Sequence, residues 1–270
     1  MTDPTVDPAV VARLRAAGCV FAEDEARLLT ATATTAGELT ALVDRRVAGL
    51  PLEHLLGWAE FCGLRIAVDP GVFVPRRRTE VLVREAVALA PPRAVVVVDL
   101  CCGSGAVGAA LAAVLEVAEL HAADVDPAAV SCARRNLPGA SVSVGDLFDA
   151  LPPALRGRVD VLVANVPYVP SAAIALMPPE ARLHEPQAAL DGGADGLAVA
   201  RRVIGGAPSW LAPGGSLLFE TGEDQVAGAL AAVAAGGLVP RVAVDDELGA
   251  TVIVGTADQP RVNVANSRQR

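Results

Sequence analysis

Residues 95–105 read VVVVDLCCGSG, an apolar run that passes directly into a turn of small residues. A continuous apolar run of this kind is typical of a strand buried on both faces of a parallel sheet. Helical sequence follows from Ala106, and the free N–H groups at the start of a helix can bind a ligand that lies close to the backbone. The segment therefore predicts a buried strand, a ligand-binding turn and a helix, in that order.

Strands and helical stretches continue to alternate from this segment towards the C-terminus. Such alternation predicts βαβ units and an α/β fold with a mostly parallel, Rossmann-like sheet. The last two β segments are joined by a short polar connection, which predicts an antiparallel hairpin at the edge of a seven-stranded sheet. The expected strands are residues 95–100, 120–124, 141–144, 159–164, 216–220, 238–244 and 251–255.

The residues before this sheet predict a small helical domain followed by a connector. Asp7 and Pro8 predict a helix start, and Thr35 with Glu38 forms a capping-box pattern in front of another helix. The alternating pattern from Trp58 onward predicts a β-hairpin with a turn at residues 69–71. The expected organisation is a helical domain at 1–57, a hairpin connector at 58–78, an α/β domain at 79–257 and a disordered tail at 258–270.

Composition narrows the class of partner. A chain of 270 residues with 53% hydrophobic content can bury one α/β core and a small accessory domain. The net charge of −9 disfavours partners that are bound through phosphates, so we expect no direct nucleic-acid contact. No apolar run approaches membrane-spanning length, and residues 1–8 resemble no signal or transit peptide. The five cysteines form no C-x-x-C pair, so we expect no metal site and a cytoplasmic location.

The turn and the next strand end outline one half of a ligand site. Asp124 ends the second strand, at the position where a carboxylate bonds ribose hydroxyls in dinucleotide-binding folds. Cys101 departs from the G-x-G-x-x-G fingerprint, which favours a nucleoside with an amino-acid tail over a pyrophosphate. Asp146 follows the third strand, where its carboxylate can accept from an exocyclic amine or cap a helix.

The end of the fourth strand carries the other half of the site, Asn165-Val166-Pro167-Tyr168. The Asn165 carbonyl and nearby main-chain carbonyls can orient a planar NH₂ group, which would be the acceptor of a methyl group. An amide nitrogen is a poor nucleophile, and acceptors that localise its lone pair favour the transfer. Tyr168, the only tyrosine, can stack on a flat target or fill an apolar gap. The proline-rich residues 169–195 predict a lid or a docking surface.

Together these motifs resemble the bacterial release-factor glutamine methyltransferase family between residues 51 and 255. The matching stretches are PLEHLLG at 51–57, residues 74–76 and 79–80, residues 99–105, Asp124, GDLF at 145–148, residues 165–168, 185–186, 190–193, 213–215, and Glu220. The resemblance implies a class I S-adenosylmethionine-dependent methyltransferase domain behind the helical domain. It also implies S-adenosylmethionine as cofactor and the glutamine of a release factor's Gly-Gly-Gln motif as acceptor.

The residues and the resemblance lead to a set of expected roles. The expected cofactor-binding residues are Cys101, Cys102, Gly103, Ser104, Gly105, Asp124, Asp146, Leu147 and Asn165. The expected substrate-binding residues are Asn165, Val166, Pro167 and Tyr168. The expected catalytic residues are Asn165, Pro167 and Tyr168.

Two motifs depart from the family pattern. The family's Asn-Pro-Pro-Tyr has Val166 at its second position, and its Pro-Arg-Pro-x-Thr-Glu has Arg77 at its third. Val166 still supplies a carbonyl, although it lacks the fixed φ of proline. Small-molecule N-methylation therefore stays open as an alternative. A nucleobase amine is a weaker one, because it requires base flipping and a basic track, and a non-enzymatic cofactor-binding scaffold is disfavoured by Asn165 and Tyr168.

Overall fold

The computed structural model describes residues 7–258, which form ten α-helices and nine strands joined by turns and short 3₁₀ segments. The helices are α1 (Pro8–Ala16), α2 (Ala22–Thr32), α3 (Ala36–Val47), α4 (Leu52–Leu56), α5 (Glu80–Leu89), α6 (Ala106–Val114), α7 (Pro127–Asn136), α8 (Pro179–His184), α9 (Ala198–Gly206) and α10 (Val226–Ala235). The strands are β1 (Trp58–Phe61), β2 (Leu64–Ala67), β3 (Val95–Leu100), β4 (Val117–Asp124), β5 (Ser141–Val144), β6 (Val159–Ala164), β7 (Leu211–Thr221), β8 (Val239–Asp245) and β9 (Ala250–Thr256).

Strands β3 to β9 form one seven-stranded sheet in the order β5-β4-β3-β6-β7-β9-β8. The pairs up to β6–β7 are parallel, whereas β9 runs antiparallel to both β7 and β8. The predicted α/β fold and the antiparallel edge hairpin are confirmed. Because β3 lies between β4 and β6, the carboxyl ends of these central parallel strands meet at one edge of the sheet.

Strand β3 is buried along its whole length, and its side chains alternate between the two layers of the core. Val95 and Val97 pack with helices α5, α6 and α7 on one face of the sheet. Val96, Val98 and Leu100 pack with α9 and α10 on the other face. The apolar run in the sequence therefore reflects burial on both faces, as predicted.

Strand β7 begins at Leu211, five residues before its predicted start at Ser216. Leu211 pairs with Val159 ahead of a register shift in the β6–β7 ladder. Gly215 permits this pairing, because a Cβ there would lie 2.5 Å from the Val159 carbonyl oxygen. Pro213-Gly214-Gly215 is typical of a turn, but the β6 pairing on one side and backbone hydrogen bonds to Ala257 on the other keep it in the sheet.

The four N-terminal helices enclose a hydrophobic cluster of their own. Asp7 caps α1 by accepting from the Ala9 N–H at 2.8 Å, and Thr35 caps α3 by accepting from the Glu38 N–H at 3.1 Å. The reciprocal half of the predicted capping box differs, since the Glu38 carboxylate accepts from the Thr34 N–H at 2.7 Å. The α3 cap is therefore one residue wider than the motif indicates.

The hairpin that follows these helices turns earlier than predicted. Phe61 pairs with Leu64, so Cys62 and Gly63 form the two-residue loop of the β1–β2 hairpin. Their φ values of 50° and 73° are those that such tight hairpin loops need. The prediction of the hairpin turn at residues 69–71 is wrong. The Val72 N–H does bond the Asp69 carbonyl at 3.0 Å, but this turn follows the hairpin.

Two further predictions concern membrane-spanning segments and the C-terminal tail. No helix within residues 7–258 is long and apolar enough to cross a membrane. The disordered tail predicted at 258–270 lies outside the described residues, except for Asp258.

Candidate active site

A cavity of about 550 Å³ opens at the carboxyl edge of the parallel strands. Its volume is in the range of small-molecule and cofactor sites. One side of the cavity is formed by the ends of β3, β4, β5 and β6, and the other by the segment after β2 and by residues from the 169–195 region. The predicted site residues that line the cavity are Cys101, Cys102, Gly103, Ser104, Asp124, Asp146, Leu147, Asn165, Val166, Pro167 and Tyr168.

The turn after β3 exposes its backbone to the cavity. Cys101 and Gly103 have φ values of 54° and 53°, in the left-handed region that non-glycine residues rarely adopt. A Cβ on Gly103 would meet no atom within 4 Å, so the space beside this glycine is open. Gly105 does not line the cavity. Its φ is 77°, and a Cβ there would lie 2.9 Å from Leu137, so its absence of a side chain lets the turn pack against the end of α7.

Asp124 lies beside this turn and helps to hold it. Its two carboxylate oxygens accept from the Gly103 N–H at 2.9 Å and from the Asp126 N–H at 3.0 Å. Burial raises the pKa of the Asp124 carboxyl above its ordinary value, against the opposing effect of these hydrogen bonds. Each oxygen keeps a second lone pair that can accept from a ligand hydroxyl.

Asp99 is a cavity-lining residue to which the sequence analysis gave no role. Its Oδ2 accepts from the Gly108 N–H at 3.0 Å, whereas Oδ1 is buried and has no hydrogen-bond partner among residues 7–258. Burial, and to a lesser extent the nearby Asp124 charge, raises the pKa of Asp99 to about 7. The one signal in the sequence is a charged residue inside the apolar run at 95–100.

Asp146 and Leu147 behave differently from each other. Leu147 is buried against the cavity with a φ of 50°, a strained conformation for a branched side chain. Asp146 precedes the 3₁₀ segment Leu147–Ala150, but its side chain makes no capping hydrogen bond. The Asp146 carboxylate instead accepts from Arg202 of α9 at 2.7 Å, and Arg202 also lines the cavity.

The Asn165–Tyr168 segment is held by close backbone packing. A Cβ on Gly192 would lie 2.7 Å from the Pro167 carbonyl oxygen, so only glycine permits this approach. Val166 is buried, with 2% of its surface exposed. Within residues 7–258, the Asn165 side chain forms no hydrogen bond, and the Val166 carbonyl accepts none from a turn or loop. Both acceptors are therefore free to orient a ligand at the cavity.

The Tyr168 hydroxyl is fully engaged. It donates to Glu220 Oε1 at 2.7 Å and accepts from Arg78 Nη2 at 2.6 Å. Burial raises the pKa of the phenol well above its ordinary value, with a further contribution from the Glu220 charge. The phenol therefore stays protonated at neutral pH, which leaves its ring rather than its hydroxyl as the surface offered to a ligand.

Residues 169–195 are more ordered than the predicted loop. They contain helix α8 and short 3₁₀ segments, and Val169 bridges to Asp191. The buried Glu185 carboxylate accepts from Arg76 at 2.5 Å and from the Val74 N–H at 3.3 Å. Arg46 of α3 donates to Glu180 of α8 at 3.3 Å. Both the connector and the helical region thus hold this segment against the cavity.

The cavity fits S-adenosylmethionine on its own chemistry. The unpartnered Asp99 oxygen suits a cationic amino group, the open side of Gly103 admits a ligand against the backbone, and Asp124 retains acceptor capacity for hydroxyls. Ammonium, hydroxyls and a flat base are the polar features of a nucleoside with an amino-acid tail.

Two solved methyltransferases share the fold of this chain. The ribosomal protein L11 methylase from Lactobacillus delbrueckii subsp. bulgaricus is 16% identical with a TM-score of 0.52, covering 72% of this chain and 86% of that one. A methyltransferase from Pyrococcus furiosus is 15% identical with a TM-score of 0.55, covering 81% and 98%. The architecture is thus the class I methyltransferase fold.

Sequence comparison specifies the family. Residues 63–193 match the model of the methyltransferase small domain. A release factor glutamine methyltransferase from Geobacter sulfurreducens is 40% identical over 79% of this chain and 75% of the relative. One from Streptomyces coelicolor is 38% identical over 82% and 75%. The chain belongs to the release factor glutamine methyltransferase family.

Proposed function

We propose that this methyltransferase modifies the side-chain amide nitrogen of a protein glutamine, namely the glutamine of the Gly-Gly-Gln motif in a peptide chain release factor. The observation that carries the proposal is the Asn165 side chain, which lines the cavity without a hydrogen-bond partner among the described residues. Membership of the family supports the choice of release factor as the acceptor.

The arrangement of acceptors accounts for the activation of an amide. The Asn165 Oδ1 atom and the Val166 carbonyl can each accept one N–H of the target NH₂ group. Two such acceptors draw the nitrogen lone pair away from amide delocalisation and stabilise the positive charge that grows on nitrogen during the transfer. S-adenosylmethionine, when bound, supplies the electrophilic methyl group.

The same arrangement requires no strong base before the transfer. The raised pKa of Tyr168 keeps its hydroxyl protonated, so this residue does not accept the proton that the methylated nitrogen releases. Its ring instead provides a flat wall for a planar amide. Positioning and electrostatics thus carry the proposed reaction.

We propose the following division of roles for the residues of the site. The residues that contact the cofactor are Asp99, Cys101, Cys102, Gly103, Ser104, Asp124, Asp146 and Leu147. The residues that hold the acceptor are Asn165, Val166, Pro167 and Tyr168. Gly105 shapes the turn through its packing on Leu137. We further propose that residues 1–57, 58–78 and 79–257 act as helical domain, connector and catalytic domain.

Mass spectrometry tests the proposed acceptor directly. A purified release factor is incubated with the protein and S-adenosylmethionine, and its intact mass is measured, with fragmentation to locate any added methyl group. One methyl group on the Gly-Gly-Gln glutamine is expected. Cofactor binding without transfer would contradict the proposed acceptor and favour a small molecule, and Val166→Pro would then be the first change to examine.

Two substitutions separate the acceptor half of the site from the cofactor half. Asn165→Ala is expected to abolish transfer and to leave the affinity for S-adenosylhomocysteine nearly unchanged, because Asn165 serves the acceptor. Asp124→Ala is expected mainly to weaken the affinity for S-adenosylhomocysteine. Calorimetric titration with S-adenosylhomocysteine measures the affinity of both variants. Equal losses of affinity in the two variants would contradict this division of roles.

A further inference from the structure

A buried carboxylate lies directly behind the acceptor end of the cavity. Glu220 is near the end of β7 and only 2% exposed, and β7 is the neighbour of β6, whose end carries Asn165 and Tyr168. Its Oε1 accepts from both the Tyr168 hydroxyl and Arg78 Nε at 2.7 Å. Its Oε2 accepts from the Thr79 hydroxyl at 2.7 Å. Of the three groups that donate to this carboxylate within residues 7–258, one is the Tyr168 hydroxyl and another, Arg78, also bonds that hydroxyl.

The hydrogen bonds around Tyr168 form a closed arrangement. Arg78 donates through Nε to Glu220 and through Nη2 to the Tyr168 hydroxyl at 2.6 Å, so the three side chains are mutually bonded. The Arg78 guanidinium also lies 5.8 Å from the centre of the Tyr168 ring. A ring whose hydroxyl is bonded on two sides has little freedom to withdraw from the cavity.

The main chain of Tyr168 is held by the segment that follows β7. Gln225, which follows β7, donates through Nε2 to the Tyr168 carbonyl at 2.7 Å and to the Asp195 carbonyl at 3.0 Å. Gln225 is itself oriented by the Thr221 hydroxyl and the Gly222 N–H, which donate to its Oε1 at 2.7 and 3.0 Å. Tyr168 is thus fixed at its backbone and at the tip of its side chain.

We propose that Glu220 is a positioning residue, which sets the Tyr168 ring for the acceptor amide while neutralising the Arg78 guanidinium at the cavity. The inference rests on the proposed function, because Tyr168 is the surface against which the target amide lies. Neutralisation matters since an uncompensated cation next to the acceptor would oppose the positive charge that develops on the nitrogen. Glu220 acts through Tyr168 and Arg78, and it does not itself line the cavity.

Glu220→Gln preserves the size of the side chain and one carbonyl acceptor but removes the charge. Its kcat is expected to fall by on the order of tenfold to a hundredfold, because small displacements of a positioned group carry penalties of this size. The affinity for S-adenosylhomocysteine is expected to stay within about twofold, since Glu220 bonds no residue of the β3 turn. An unchanged kcat in a folded Glu220→Gln variant would overturn the proposal.

Asp160→Asn is the matched control for loss of a buried carboxylate. Asp160 is also buried, but it lies at the amino end of β6 and bonds Arg93 at 2.6 Å and the Val96 N–H at 2.9 Å, away from the cavity. This variant is expected to be less stable and to keep its kcat per folded molecule. An equal fall of kcat in both variants would mean that Glu220 has only a structural role.

A double-mutant cycle distinguishes positioning from general damage. In a Tyr168→Phe background the hydroxyl that Glu220 holds is absent, so Glu220→Gln is expected to lower kcat much less than in the wild type. Residues that act through one network give such non-additive effects. Fully additive effects of the two substitutions would contradict the proposal.

The single tyrosine offers a readout that does not depend on activity. Tyr168 is the only tyrosine in the chain, so the near-ultraviolet absorbance of phenolate reports this residue alone. In a spectrophotometric titration above the ordinary value of 10, Tyr168 is expected to ionise at a lower pH in Glu220→Gln than in the folded wild type, because burial still raises its pKa but the Glu220 charge is gone and the Arg78 charge remains. Circular dichroism over the same pH range confirms that each sample is folded.

The two readouts separate this inference from the proposed function. If the wild type fails to methylate a release factor but the phenolate fraction rises in Glu220→Gln, the acceptor is wrong and the hydrogen-bonded arrangement stands. If the wild type methylates the release factor and the phenolate fraction is the same in both proteins, Glu220 does not control Tyr168 and the inference is overturned.

Discussion

Asp99→Asn is expected to make the cofactor-free protein more stable at pH 8 while weakening its binding of cofactor. Asp99 is 1% exposed, and its Oδ1 atom lacks a partner in the structure, so the folded protein holds an uncompensated carboxylate beside the cavity. Asparagine has nearly the same shape and can still accept from the Gly108 N–H. The substitution therefore removes the charge with little change in packing.

The magnitude follows from the pKa of Asp99, which burial raises from 3.8 to about 7. Below pH 3.8 the carboxyl is neutral in both the folded and the unfolded chain and contributes nothing. As the pH rises towards 7 the unfolded chain ionises first, so this group lowers the free energy of unfolding, by about 4 kcal/mol at pH 8. An unsatisfied amide in the variant costs about 1–3 kcal/mol. A net gain of roughly 1–3 kcal/mol is expected at pH 8.

Urea denaturation of wild type and variant at pH 4 and pH 8 measures this effect. The stability gain of Asp99→Asn should be present at pH 8 and absent or reversed at pH 4. Asp160→Asn is the control, because that buried carboxylate has hydrogen-bond partners and its loss should destabilise the protein at pH 8. Calorimetry should show that Asp99→Asn binds S-adenosylhomocysteine on the order of tenfold to a hundredfold more weakly, the range of a lost charged hydrogen bond.

Two outcomes would contradict the role of Asp99. If Asp99→Asn has the same effect on the free energy of unfolding at pH 4 and pH 8, the carboxyl does not titrate abnormally. If the variant gains stability but binds S-adenosylhomocysteine as tightly as the wild type, Asp99 is buried for a reason other than the cofactor.

Three further perturbations test the scaffold of the site. Gly196→Ala should lower the free energy of unfolding by roughly 2–5 kcal/mol in a thermal or urea melt, because φ is 76° and a Cβ would collide with the Tyr168 carbonyl oxygen and with Gln225. Gly205→Ala is the control, because a Cβ on this exposed helical glycine would meet no atom of the described residues within 4 Å. Alanine at 205 should stabilise α9 by about 0.5–1 kcal/mol. Equal losses of stability in the two variants would contradict the packing argument. Arg46→Met should cost about 3–5 kcal/mol, because it leaves the buried Glu25 without its partner at 2.6 Å, and a loss below about 1 kcal/mol would contradict this cost of an unpaired buried charge.

Local sequence patterns were sufficient for the fold and for much of the cavity lining. The apolar run of β3 and the alternation of strands and helices predict the α/β sheet, because burial on both faces leaves a direct record in composition. The motif positions also lie where parallel strands end, and the structure brings the turn at 101–104 and the segment 165–168 to one cavity. The roles assigned to these residues stay predictions.

Other features were not readable because they depend on which partner a residue meets. Aspartate next to proline and glycine indicates a turn, but the hairpin turns at Cys62 and Gly63, where no strong turn pair is present. Asp146 can cap a helix or bind an amine by its position, and in the structure it pairs with Arg202, 56 residues away. A local pattern reports the tendency of a segment and does not report which distant side chain arrives beside it.

From the sequence alone, one could predict the α/β class, the antiparallel edge hairpin and the edge of the sheet that carries the motif residues. These properties follow from periodicity and from residues close together in the chain. The three-dimensional arrangement was needed to show that Asp99 keeps one oxygen without a partner among the described residues and that Glu220 holds Tyr168, 52 residues away in the chain. The Glu220–Tyr168 contact depends on the pairing of β6 with β7, because neighbouring parallel strands place their carboxyl ends side by side although they are distant in the chain.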